Sequence, residues 1–167
     1  MDEPFALFHE EQRFRQWWVW LIILVGVSRA WYIWWRSLRT PAEMDSTARL
    51  IVWGVWLGVG VILPLLFASM RLVTQVRHDG VYLRFVPFHW RWVQIDVAHI
   101  KGVRAREYNP LLEYGGWGIR YGVQGKAYTV SGKQGVELEF ADGRTLLIGS
   151  QKAEELAQRI LDILPQR

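Results

Sequence analysis

The stretch Leu50–Met70 (LIVWGVWLGVGVILPLLFASM) runs 21 residues without a charge. As a helix it would span about 31 Å, the thickness of a bilayer's hydrocarbon core. It is apolar on every side, so it lacks the polar stripe that a surface helix of a water-soluble protein needs. Its three glycines and Pro64 would be costly in a soluble helix but are tolerated in a membrane one. In a chain of 167 residues too little sequence remains to bury such a helix as a core element. A transmembrane helix over about 50–70 is expected.

A second apolar stretch precedes it, Trp17 to Trp35 (WWVWLIILVGVSRAWYIWW), interrupted by Arg29. A charge at a helix centre costs roughly 3 kcal/mol on insertion, which the neighbouring Leu, Ile and Val offset. Arg29 lies about two turns from the far end, so its guanidinium can reach that interface. The other reading is a functional intramembrane charge, although the second helix offers no acid to pair with it. Six of the 11 Trp fall in this stretch and two more, Trp53 and Trp56, in the next. Clustering near the ends of apolar runs is what membrane–water interfaces select. Glu10 and Glu11 ahead of the run, and no small-x-small site behind it, argue against a cleaved signal peptide.

Between the two lies a polar loop, Arg36 to Arg49, with Pro41 suited to a turn and Asp45-Ser46-Thr47 to an N-cap. Two helices joined so closely form an antiparallel hairpin, with both termini on one side. Arg13, Arg15, Arg71, Arg77 and Arg84 on that side outnumber Arg36, Arg39 and Arg49 in the loop. The positive-inside tendency then places both termini and the β domain on the cytoplasmic face of the cell membrane. Gly54 and Gly58 have the GxxxG spacing that permits close helix approach, as in a homo-oligomer. Asp2 to Gln16, with Phe5, Leu7, Phe8 and Phe14 among charges, is expected at the interface or as an extension of the first helix. Residues 1–71 thus form the membrane part and 72–167 a separate β domain.

Residues 71–167 carry 14 Lys and Arg against 10 Asp and Glu, which accounts for the whole net charge of +4. So modest an excess would favour an anionic leaflet but does not imply nucleic acid. The absence of cysteine excludes disulfides and thiolate metal sites.

After Met70 the apolar pattern alternates. Leu72–Val76, Asp79-Gly80 and Val81–Phe85 read as strand, tight turn, strand, and Arg91–Ile95 as a further strand. Ile95, Val97 and Ile100 point inward across a connecting turn. Lys101–Glu107, Gly118–Gly122 and Lys126–Val130 follow, and Val136–Phe140, Asp142-Gly143 and Thr145–Ile148 form the clearest hairpin. Ser150 is expected to cap a final helix to Leu164, with Ala153, Leu156, Ala157, Ile160, Leu161 and Leu164 on its apolar face and Pro165 ending it. Such a helix is expected to cover the open end of a bent sheet or barrel.

This succession, closing on a D-G hairpin and the GSQKAEELAQRI helix, resembles the bacterial pleckstrin-homology-like domains, which commonly follow membrane helices. The segment Glu113–Leu156 and EEQRFRQWW near the start also resemble a group of bacterial membrane proteins without known activity. The resemblance implies an α+β chain: a transmembrane hairpin, then a pleckstrin-homology-like antiparallel β-barrel or bent sheet with a C-terminal helix. It implies a fold more than a function.

No chemistry is expected. Gly116-x-Gly118-x-x-x-Gly122 has one residue too many for a dinucleotide fingerprint and is followed by a strand. Gly125-Lys126 lacks the remainder of a phosphate loop. His9, His78, His89 and His99 are scattered without ligand spacing, and Ser131 and Ser150 lack a histidine partner. Neither cofactor nor metal is expected, and the chain is expected not to be an enzyme. The first hairpin turn, Arg77-His78-Asp79-Gly80, is short and partly acidic, so specific phosphoinositide recognition is not expected either. The best surface candidate is Tyr108, Leu111, Leu112, Tyr114 and Trp117 with Arg106 and Arg120, which could bind a protein, a peptide or the bilayer interface. Packing over the sheet would explain the same residues. The expected role is a membrane-anchored, non-enzymatic binding or scaffolding module. The alternative is an accessory subunit packed through its hairpin into a larger membrane complex.

Overall fold

The computed structural model describes residues 6–39, 45–122 and 125–165; Phe5 and the Pro41 turn lie outside them. The chain is α+β and divides into two compact units. One holds Arg15–Ser69, and the other the described residues through Phe14 and from Met70 onward.

The first unit is a helical hairpin. Helix α1 spans Trp17–Arg39, four residues beyond Trp35, with Arg39 stacked 3.7 Å over the Trp35 ring. Asp45 caps α2 (Ser46–Leu57) by accepting from the Ala48 amide at 2.7 Å. A π-helical turn, Gly58–Ile62, leads into α3 (Leu63–Ser69), so helix runs without a break from Ser46 to Ser69. The loop is therefore shorter than Arg36–Arg49. Both α1 and the Ser46–Ser69 helix are long and apolar enough to cross a membrane. On α1 only Ile23, Ala30 and Ser37 are buried, while Trp17 is 75% exposed.

Tryptophan also packs these helices together. Trp31, Trp34, Trp53 and Trp56 form one cluster with ring centroids 4.9 to 5.9 Å apart, Trp34 stacking on Trp56. In an unbroken α-ladder the Gly60 carbonyl would accept from residue 64, which is proline and has no N–H. The Trp31 indole donates to that carbonyl at 3.3 Å. A Cβ on Gly60 would come within 3.4 Å of Trp31 and Trp56, so glycine is what lets the rings close over the backbone.

The second unit begins where the sequence did not suggest a strand. Phe8–Arg13, expected at the interface or in a helix, is strand β1. It pairs antiparallel with β2 (Arg71–Arg77), from Phe8 opposite Val76 to Arg13 opposite Arg71. Its alternation is real but largely polar: Phe8 and Gln12 are buried, and His9, Glu11 and Arg13 are exposed. Strands β3 (Gly80–Val86) and β4 (Val93–Ile95) complete a sheet of order β1-β2-β3-β4. Gly80 turns the β2–β3 hairpin at φ 156°, where a Cβ would sit 2.9 Å from the Ile95 carbonyl oxygen.

The second sheet comprises β5 (Ile100–Glu107), β6 (Gly118–Gly122), β7 (Gly125–Thr129), β8 (Gln134–Phe140) and β9 (Thr145–Gly149), in the order β5-β8-β9-β7-β6. The D-G hairpin joins β8 and β9 as expected, but β9 then lies parallel to β7, so the arrangement is mixed. The two sheets are separate and form no closed barrel among the described residues. Leu72, Val81, Leu83 and Phe85 from the first, and Val136, Leu138 and Ile148 from the second, are fully buried. Each such side chain contributes about 1.5–3 kcal/mol of apolar burial. Helix α5 (Ala153–Ile163) packs on β2, β5 and β8, thus on strands of both sheets. Ala153, Leu156, Ala157 and Ile160 face inward, whereas Leu161 is 44% exposed.

Candidate functional site

The segment between β5 and β6 folds into a short helix, α4 (Pro110–Tyr114), closed at both ends. Asn109 accepts from the Leu111 and Leu112 amides at 3.2 Å each, Pro110 stands at the first helical position, and Gly115 ends the helix at φ 68°. The Gly115 and Gly116 amides return to the Leu111 and Pro110 carbonyls at 3.0 and 2.7 Å. A five-residue helix with so few orphan backbone groups is a fixed pedestal.

Arg106 anchors it. Its guanidinium pairs with Glu137 at 2.7 Å and with Glu113 at 2.8 Å, and reaches the Tyr114 hydroxyl at 3.4 Å. Burial opposes its charge, but the two carboxylates outweigh that and raise its pKa. Burial likewise pushes Glu113 upward, and the Asn109 amide together with Arg106 more than offsets it, leaving Glu113 below its ordinary value.

The candidate residues thus separate. Tyr108 and Tyr114 point inward and share a buried cluster with Ala127 and Leu147, and burial pushes the Tyr108 phenol up to about 12. Trp117 is half-buried, its indole donating to the Gly132 carbonyl at 3.1 Å, and its own carbonyl accepts from Arg120 at 3.1 Å. Leu111 and Leu112 face out, 60% and 85% exposed. The exposed apolar surface of the segment is this leucine pair.

In the hairpin unit Arg29 is exposed and lies away from α4 in sequence and in unit. A Cβ on Gly54 or Gly58 would meet nothing within 4 Å, so their face is not the one used to pack the hairpin. Gly60 takes that role.

Two surfaces escaped sequence reasoning. A cleft of about 640 Å³ is lined by Tyr121, Lys126, Tyr128, Phe140 and Arg144, with the Lys126 ammonium 4.6 Å from the Tyr128 ring. The β3–β4 connection carries Phe88 and Trp90, 55% and 90% exposed. Its sequence signal was F-H-W-R-W one residue after a strand, an aromatic–basic run too short for any periodicity.

No curated protein and no solved structure matches the chain significantly. The profile of the Family of unknown function (DUF6141) matches residues 2–165, and the chain belongs to that family.

Proposed function

We propose that the protein is a membrane-anchored, non-enzymatic binding or scaffolding module, its hairpin spanning the cell membrane and its β unit on the cytoplasmic side. The observation that carries this reading is the pairing of β1 with β2. Arg13 and Arg71, the last and first strand residues around the hairpin, are Cα partners. The two strands nearest the hairpin in sequence are therefore neighbours in one sheet, which suits a β unit held at both ends of a membrane hairpin. The β unit is read as pleckstrin-homology-like on its mostly antiparallel pairing and on a C-terminal helix that packs on both sheets. The open sheets and the parallel β7–β9 pair depart from that pattern.

Partner binding is assigned to Leu111 and Leu112, an exposed apolar pair on a helix whose polar groups are already engaged. Photo-crosslinking from position 112 in native membranes tests this. A discrete adduct is expected, lost in Leu111→Ser while the chain stays folded; crosslinking to lipid alone overturns it. The accessory-subunit reading is favoured by the open Gly54–Gly58 face. Gly54→Leu with Gly58→Leu would then release a co-purifying membrane subunit that Leu111→Ser leaves bound.

A further inference from the structure

We infer that the β3–β4 connection, residues 87–92, is a second membrane contact, inserting Phe88 and Trp90 into the interfacial layer of the bilayer that the hairpin spans. The inference rests on that membrane reading and adds a surface to it.

Strand register places the connection. Arg13 pairs with Arg71, and Arg71 with Val86, after which the connection begins. At about 4.8 Å between neighbouring strands, the chain's departure from β1, its arrival in β2 and the root of this connection sit side by side at one sheet end. That end is the one joined covalently to the hairpin on both sides.

Local bonding aims the side chains. The His89 amide donates to the Phe85 carbonyl at 2.8 Å, and His89 Nδ1 accepts from the Phe85 amide at 3.3 Å. The His89 ring also packs 5.7 Å from that of Tyr128. With His89 turned in and tied down, Phe88 and Trp90 on either side of it turn out, and Arg91 beside them is exposed. An acceptor Nδ1 requires a neutral ring, and burial with Lys126 nearby lowers the His89 pKa accordingly.

The chemistry fits a lipid interface better than a protein groove. Trp is the residue that interfaces favour, and Arg beside it suits anionic headgroups. A cleft of about 310 Å³ between Met70, Phe88, Trp117 and Ile119 continues the apolar surface from the chain's exit point to the connection. Trp90 itself, 90% exposed, has little to pack against in its own unit.

The chain has no cysteine, so single cysteines report without background. Phe88→Cys, Arg91→Cys, Tyr121→Cys and, within the hairpin, Ile62→Cys would each carry an environment-sensitive dye. Each full chain would be reconstituted in vesicles of zwitterionic and anionic phospholipid, with quenchers fixed near the headgroup or deep in the acyl chains. Shallow quenching at 88 and 91, deep quenching at 62 and none at 121 are expected, with the signal at 88 falling when Trp90→Ser is added. Deep quenching at 62 without quenching at 88 or 91 overturns this contact and leaves the membrane reading standing. No quenching at 62 overturns both.

Discussion

Trp31 shows at the scale of one residue how the hairpin tolerates its proline. Pro64 has no N–H to give the Gly60 carbonyl. The turn ahead of it is π-helical with the Leu63 amide on the Gly58 carbonyl, and the Trp31 indole donates to Gly60 from the neighbouring helix. Trp31→Phe keeps most of the ring packing and removes the donor. A loss of roughly 1 kcal/mol is expected in detergent-titrated unfolding, within the range of hydrogen bonds inside membrane proteins. The decisive comparison is a double-mutant cycle with Pro64→Ala. Once residue 64 can donate to Gly60, Trp31→Phe should cost markedly less. Equal losses in both backgrounds would reduce Trp31 to a packing residue. None of this was readable beforehand, since eight clustered tryptophans look alike in a sequence. Only contact geometry picks out the four that pack against one another.

At the scale of elements, β1 is the strand that joins the unit's beginning to its end. Gln12 donates to the Gly149 carbonyl at 2.6 Å, and the Glu10 carboxylate accepts from the Ser150 hydroxyl at 2.6 Å and the Gln151 amide at 2.9 Å. Ser150 in turn accepts from the Lys152 amide at 3.0 Å, so the approach to α5 is organised from a strand 140 residues earlier. Glu10→Ala should cost about 2 kcal/mol, because two donors to a charged acceptor lose it together. Amide exchange at Gln151 and Lys152 should quicken more than in β8. Glu10→Gln should fall between, as an amide oxygen still accepts one bond. Unchanged exchange in Glu10→Ala would remove this role. The sequence announced the elements with local punctuation: Asp79-Gly80, Asp142-Gly143 and the amphipathic run of α5. It hid β1, whose inward positions alternate Phe8, Glu10 and Gln12, because a strand satisfied by polar bonds has no apolar period to read. The parallel β7–β9 pair was hidden for another reason, since pairing partners distant in the chain leave no local mark. The same limit applied to the candidate site. Aromatics near Arg looked alike, yet Tyr108 and Tyr114 are core while Leu111 and Leu112 are surface.

For the whole molecule, the β1–β2 pair turns an expectation about termini into a constraint. A chain that leaves a sheet at Arg13 and rejoins the same sheet at Arg71 must cross any bilayer an even number of times between them. Two helices long enough to cross satisfy this; one would not. In the proposed reading the charge count favours one direction, with more Arg flanking the strand end than in the connection. Single cysteines at exposed Thr47, at the start of α2, and at exposed Lys133, between β7 and β8, would test both statements in intact cells. An impermeant thiol reagent should modify position 47 from outside and reach position 133 only after the membrane is opened. The reverse pattern would keep the hairpin and invert its orientation. Modification of both from outside would mean that the two helices do not cross, and would remove the basis for the interfacial role of Phe88 and Trp90. Arg36, Arg39 and Arg49 supply a graded control. Reducing them to neutral residues strengthens the bias already present, so protection of position 133 should persist. Exchanging the charge between loop and strand end should weaken or invert it.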